Sequence, residues 1–366
     1  MKKILVIGQI PPPYHGQALM IARLVNANFE DVKIYHVRMS FSKSAKSIGK
    51  PSIAKFFHVF HIIYKAILYK FKYKINVLYY PPAGPNLSPI IRDLLILAVI
   101  RPFFRHTVYH FRAAGISEYL QKCSFAFRKL AFFIYRKPSV SIQLSALNPA
   151  DGKYFQSKEI VVIRNGLEDA AISYLPIKRS KNEVFNILYI GLLRESKGVL
   201  VLLKAIKKLL IQGYKIHLDL VGDFISEEFE ETFKKYCKQE KLGQYINLAG
   251  VKTGSDKWDY FVKADALCFP TFFEAESFGN VSLEAMMFEL PIVTTKWRAI
   301  PDIVEEQVTG LLAEPKDAAS LAEKIEFLIQ NPDIARNMGQ RGRDTFLKTY
   351  TLDKHLESMR ALFTRL

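Results

Sequence analysis

The sequence has 366 residues, of which 49% are hydrophobic and 24% charged; this suits a folded chain of about two domains and excludes wholesale disorder. Lys and Arg outnumber Asp and Glu by 52 to 35, a formal charge of +17, and the excess is confined to one half. Residues 1–165 hold 25 Lys/Arg against 6 Asp/Glu, net +19, whereas residues 166–366 hold 27 against 29, net −2, so an anionic partner is expected for the first half: nucleic acid, membrane surface or acidic substrate.

Lys2-Lys3 ahead of Ile4–Ile7 is reminiscent of a signal peptide, but the apolar run is short and Pro11-Pro12-Pro13 follows at once, so a first strand is predicted. Further strands are predicted at Val32–Val37, Ile75–Tyr79, Thr107–His110, Val140–Gln143 and Val161–Arg164. The second half offers Asn186–Ile190, His217–Val221, Ile246–Ala249, Ala266–Phe269, Pro291–Thr295 and Gly310–Leu312. Helical periodicity lies between most of them, as at Val199–Ile211 and Leu321–Ile329. The longest apolar stretch, Leu94–Ile100, falls short of the roughly 18 residues of a membrane span and is flanked by charges. Cys123, Cys237 and Cys268 form neither a disulfide framework nor a metal-binding spacing, which suits a reducing compartment.

Strand–helix alternation argues for parallel sheets, and two sets of about six strands suit two doubly wound α/β domains. The joint is expected at Asn165–Asn182, where Gly166, Pro176 and Lys178-Arg179-Ser180-Lys181 break the periodicity at the point where the charge changes.

In such sheets ligands bind beyond the carboxyl ends of strands, so the segments that follow each strand are informative. Gly16 stands where the first helix should begin, and a glycine there lets backbone N–H groups approach an anion; a plain strand–helix turn is the alternative. His110 ends a predicted strand and could reach a cleft as donor or general acid/base, or be structural. After Asn186–Ile190, the turn Gly191–Gly198 carries Arg194 and Lys197 three residues apart, a spacing suited to a diphosphate or to a solvated helix start. After Ala266–Phe269 comes a segment with Glu276 in a loop and Glu284 one turn inside a helix starting near Asn280. Those carboxylates can accept from sugar hydroxyls while the N–H groups of Phe278–Val281 face a phosphate, with Glu274 competing for the first role; a chance pair of glutamates at this common spacing is the alternative.

With these segments in order, the chain resembles the family-4 (group 1) retaining glycosyltransferases of the GT-B fold. The E-x7-E signature stands as Glu276 to Glu284, followed by Leu290-Pro291-Ile292-Val293. The basic turn is Gly191-x-x-Arg194-x-x-Lys197-Gly198; Asn165-Gly166, Pro301-Asp302-Ile303-Val304 and Thr309-Gly310-Leu311-Leu312 complete the pattern. Ser277 and Phe288-Glu289 depart from it, which bears on the sugar pocket.

The resemblance implies two Rossmann-like domains facing a central cleft, residues 1–168 for the acceptor and 169–350 for the nucleotide-sugar, with a C-terminal helix in 351–366 returning to the first. It implies catalytic roles for Glu276, His110, Arg194 and Lys197, with Arg194 and Lys197 on the donor diphosphate. It further implies donor contacts from Gly16, Gly191, Phe278, Gly279 and Asn280, ribose binding by Glu284, and a base site near Gly250-Val251. The donor expected is a UDP- or GDP-sugar, with no cofactor, and no metal is expected because no D-x-D pair lies in a suitable loop. The reaction implied is hexosyl transfer with retention to a glycan or lipid-linked acceptor in cell-surface polysaccharide synthesis.

Two other readings stay open, a nucleotide-sugar epimerase of the same fold and a basic, non-catalytic nucleic-acid-binding protein. The second lacks a recognisable RNA-binding, helix-turn-helix or zinc pattern, so no nucleic-acid partner is expected. Ile53–Lys74, with Lys55, Lys65, Lys70, Lys72 and Lys74 among aromatics, reads as an amphipathic basic surface suited to anionic lipid, or as a core helix with a solvated Lys face. The location expected is cytoplasmic, peripheral on the inner face of the cytoplasmic membrane.

Overall fold

The computed structural model describes residues 1–12, 16–41, 53–177, 179 and 183–366, with residues 53–56 described by backbone alone. Pro13 in the first loop, Lys178, Ser180 and Lys181 in the linker, and the side chain of Lys55 lie outside the described residues. The chain divides into two units, Met1–Asn165 with Asp353–Leu366, and Gly166–Leu352. These divides fall short of the expected 168/169 and beyond 350/351 because Leu167 pairs with the end of the second unit. Its N–H donates to Tyr350 O at 2.9 Å, and its carbonyl accepts from Leu352 N at 2.8 Å.

The first unit runs β1 (Lys2–Gly8), α1 (Gly16–Val25), β2 (Val32–Arg38), α2 (Ile53–Tyr73), β3 (Val77–Tyr80), α3 (Leu87–Ile100), β4 (His106–Phe111), α4 (Ile116–Lys122), α5 (Phe125–Tyr135), β5 (Val140–Gln143), α6 (Asp151–Tyr154) and β6 (Ile160–Val162). Its sheet has the order β2-β1-β3-β4-β5-β6, and every pair is parallel. Alternate residues of the strands serve opposite faces. Ile4, Val6, Tyr79 and Val108 pack with α1, and Leu5, Ile7, Leu78 and Tyr109 pack with α2, α3 and α5. Because both faces are covered there, β1 and β3 read as continuous apolar runs, Ile4–Ile7 and Val77–Tyr80. Ile75, expected inside a strand, precedes β3: Lys74 takes a left-handed φ of 53° and the Ile75 N–H still bonds the Lys70 carbonyl, so the helix is only then ending.

The second unit runs β7 (Phe185–Ile190), α7 (Val199–Ile211), β8 (Ile216–Val221), α8 (Glu227–Gln239), β9 (Ile246–Gly250), α9 (Gly254–Lys263), β10 (Ala266–Phe269), α10 (Asn280–Met287), β11 (Ile292–Thr295), α11 (Ile300–Ile303), β12 (Gly310–Ala313), α12 (Ala318–Gln330) and α13 (Pro332–Thr349). The last helix, α14 (Leu352–Thr364), lies almost wholly in the first unit. There Met359, Leu362 and Phe363 enter the core beside Tyr79, and Arg360 Nε bonds Asp31 at 2.8 Å. The second sheet has the order β12-β11-β10-β7-β8-β9, again parallel. The strand order reverses between β7 and β10 here, and between β1 and β3 in the first unit. Such switch points open a crevice at the carboxyl ends of the strands.

Among the described residues no helix is long and apolar enough to cross a membrane.

Candidate donor-binding site

The switch point of the second unit sets the turn after β7 beside the segment after β10. Two backbone features join them. The Phe272 N–H donates to Ser196 O at 2.8 Å. Gly198, at φ 79°, lies so close to Pro270 that a Cβ would meet the Pro270 carbonyl oxygen at 2.0 Å, which admits glycine alone. The result is a contact between side chains far apart in sequence: Lys197 Nζ lies 2.5 Å from Glu276 Oε2, with side chains 16% and 10% exposed. Thr271 Oγ1 donates to the same carboxylate oxygen at 3.1 Å.

Phe273 provides the floor for both cations. The Arg194 guanidinium stacks 4.4 Å from its centroid and the Lys197 ammonium lies at 5.1 Å, a favourable placement over the negative ring face. Trp297 Nε1 fixes this loop by donating to Phe273 O at 2.8 Å. Burial moves the Arg194 guanidinium below its usual range, against the opposing fields of Tyr189 and Glu274. Glu274 is exposed while Glu276 is buried, so Glu276 is the carboxylate turned inward.

Gly279, at φ 79°, turns the chain into α10, which begins at Asn280 as expected. The N–H groups of Phe278, Gly279 and Asn280 therefore lie at the positive end of a helix dipole. Glu284 sits one turn in, and its Oε1 accepts from Lys257 Nζ of α9 at 2.6 Å. Phe288 explains one departure from the family pattern: fully buried, it stacks on Trp258 at 5.3 Å and 22° and holds α9 against α10. The Phe288 ring thus packs against Trp258 and Phe261 of α9, the helix that carries Lys257.

Gly191, Gly222 and Gly250 meet at the ends of β7, β8 and β9. A Cβ on Gly222 would meet Gly191 O at 1.9 Å, and the Gly222 N–H donates to Gly250 O at 2.9 Å. Gly250 and Val251 at the sheet edge are exposed. Lys257, Thr271, Phe273 and Trp297 are contacts that no spacing in the sequence announced.

The remaining site candidates belong to the first unit. Gly16 is exposed and opens α1. His110, expected to reach into a cleft, is fully buried instead: strand alternation points it to the face covered by α1 and α14, where Nδ1 meets Tyr79 OH at 2.8 Å. Burial, together with Arg112 and His355, drives its pKa well below the ordinary value, so the ring is neutral. Its Nε2 is buried without a hydrogen-bond partner among the described residues. Two buried carboxylates fasten the loops after β3 and β4. Asp93 accepts from Ala83 N, Tyr80 OH and Tyr135 OH at 2.6, 2.7 and 3.0 Å, and Asp151 accepts from Gly115 N and Ser117 N at 3.0 and 2.8 Å.

Two parallel Rossmann-like sheets with these turns at a switch point define the GT-B class of α/β protein. Residues 174–345, a little under half of the chain, match the family model described as "Glycosyl transferases group 1", and this segment carries both the basic turn and the Glu276–Glu284 signature. The chain is 30% identical over 188 residues to the capsular polysaccharide biosynthesis glycosyltransferase CapM of Staphylococcus aureus, covering 50% of this chain and 48% of that one. It spans about half the length of such curated relatives. Its fold matches the sucrose-phosphate synthase of Thermosynechococcus elongatus with a TM-score of 0.74 at 18% identity, covering 100% and 99% of the two chains. Anabaena Alr3699/HepE, solved in complex with UDP-glucose, matches with a TM-score of 0.73 at 17% identity and full coverage of both chains.

Proposed function

We propose that the chain is a retaining glycosyltransferase that moves a hexose-type sugar from a UDP- or GDP-sugar to a lipid-linked glycan acceptor in cell-surface polysaccharide synthesis. The observation that carries this reading is the convergence of Arg194, Lys197, Glu276 and the start of α10 at one switch point. The group 1 match and the CapM likeness support the reaction class. The Alr3699/HepE complex, a neighbour in fold alone, motivates including UDP-sugars among the donors to be tested.

In this reading Arg194 and Lys197 bind the diphosphate. As the bond from the anomeric carbon to the phosphate oxygen breaks, the fixed cations and the α10 dipole offset the charge on the leaving group, electrostatic catalysis that needs no metal ion. The acceptor oxygen bonds to the anomeric carbon, and the proton it loses leaves with the diphosphate. Glu276 accepts from the sugar's hydroxyls and Glu284 from the ribose, while Gly191, Phe278, Gly279 and Asn280 let the backbone approach. Gly250-Val251 lies by the base. Lys197 must exchange Glu276 for phosphate when donor arrives.

In this reading the strongly basic first unit favours the anionic inner face of the cytoplasmic membrane as the place where a lipid-linked acceptor is met. A panel of UDP- and GDP-sugars, read by nucleotide release and thermal shift, tests the donor. Stabilisation and turnover with at least one sugar is the expected result, and no response to any sugar rejects the reading.

A further inference from the structure

The outer side of the α2–α3–α5 layer is apolar where a solvated helix would be polar. On α2, Val59, Ile62 and Ala66 face the core. The opposite side carries Phe57, Phe60, Tyr64, Leu68 and Phe71 at steps of three and four, from 42% exposed at Leu68 to 67% at Phe57. Helical periodicity puts Lys65 and Lys72 on the flank of this row. Of the two readings of Ile53–Lys74, the solvated Lys face is the one set aside: the outward side is aromatic, and Lys65 and Lys72 border it.

On α3, which touches both α2 and α5, Leu87, Ile91, Leu95 and Val99 form a second exposed row at four-residue steps. Phe103, in the turn that follows α3 and itself exposed, lies 5.9 Å from the Phe71 ring at the end of the α2 row. On α5, Phe125 and Phe133 are exposed beneath Lys129 and Arg136, each cation 4.4 Å from its ring. Between Lys33 and Lys137 the only acids are Asp93 and Glu118, and Asp93 is fully buried.

We propose that this three-helix face seats the first unit in the interfacial layer of an anionic lipid bilayer, with the apolar rows among the headgroups and the bordering Lys and Arg on lipid phosphates. A second copy of the chain would set one strongly basic surface against another, whereas an anionic bilayer supplies both an apolar layer and negative charge. The proposal deepens the membrane part of the function above and does not depend on the donor chemistry.

The test is sedimentation of the full chain with phosphatidylcholine vesicles, with and without about 30 mol% phosphatidylglycerol, at low salt and in about 0.5 M NaCl. Binding to the anionic vesicles should exceed binding to the neutral ones by about tenfold or more, and a bound fraction should survive high salt through the apolar rows. The triple variant Phe60→Ser/Tyr64→Ser/Phe71→Ser should lose the salt-resistant fraction at unchanged melting temperature, and Ile91→Ser/Leu95→Ser should weaken it independently. Lys65→Glu/Lys72→Glu should reduce the salt-sensitive fraction. Equal binding to both vesicle types, wild-type binding by both serine variants, or a lipid-free dimer dissociated by them would overturn the proposal. Nucleotide-induced thermal shift on the same preparations separates the two readings: lost vesicle binding with nucleotide binding intact removes the surface and leaves the transferase.

Discussion

Lys197 Nζ and Glu276 Oε2 are 2.5 Å apart although 79 residues separate them in the chain. The pair joins the two turns of one switch point and leaves Arg194 beside it on the same aromatic floor. Lys197→Ala and Glu276→Gln should each lower kcat by about 10²-fold or more, because fixed charges at a leaving group commonly account for that much. Combining them should cost about the product of the two losses, since in the donor complex Lys197 holds the diphosphate and Glu276 the sugar. Steady-state nucleotide release from single and double variants measures this.

Gly198→Ala places a methyl on the Pro270 carbonyl in a left-handed turn. The substitution should destabilise the chain by about 2 kcal/mol or more and separate the basic turn from the Glu276 loop. Denaturant titration reports the first effect and nucleotide titration the second. A stable variant with normal nucleotide affinity would show that this approach does not position the site.

The twelve strands among the described residues were legible because most are short runs rich in β-branched, Leu or aromatic residues, and the inner ones are buried on both faces. The carboxylate pair and the basic turn were singled out by their resemblance to a family pattern; their spacing alone also allowed a chance Glu pair and a solvated helix start. Lys257 was not: nothing in the sequence ties it to Glu284, and the stack of Phe288 on Trp258 that joins them is a tertiary contact. His110 was placed at the right strand end but assigned to the wrong surroundings, since α14, from the far end of the chain, belongs to the core that receives it. On α2 both faces are apolar, so periodicity shows two stripes without saying which is buried.

Lys257 holds one oxygen of Glu284 and should orient the carboxylate for a ribose. Lys257→Met should raise the donor KM by about tenfold with little change in kcat, the pattern of lost uniform binding. A 2′-deoxy donor should be less affected by the substitution than the parent nucleotide-sugar.

Asp93 gathers three neutral donors and Arg92 beneath the loop after β3. Asp93→Ala leaves these groups buried without their acceptor and should cost about 3 kcal/mol or more. The loss should appear in the melting of the first unit, with nucleotide binding by the second retained under native conditions.

Burial drives down the pKa of His110 and of His355, the latter to about 3, and Arg112 adds to both shifts. In the unfolded chain each titrates near 6.5. A folded value below the unfolded one means stability intact above about pH 6.5 and lost as pH falls, because the unfolded chain takes up protons that the folded one excludes. Melting temperature should therefore fall between about pH 6.5 and pH 4, and His355→Gln should flatten that slope. An unchanged slope would assign the acid sensitivity to other groups.

The central claim, that Arg194, Lys197 and Glu276 form a donor site for nucleotide-sugar, is tested most directly by nucleotide release. The wild type, Lys197→Ala and Glu276→Gln are compared across a panel of UDP- and GDP-sugars. Release from at least one sugar by the wild type, reduced by about 10²-fold in both variants, is the predicted result. Release that is absent for every sugar, or equal in wild type and variants, would contradict it.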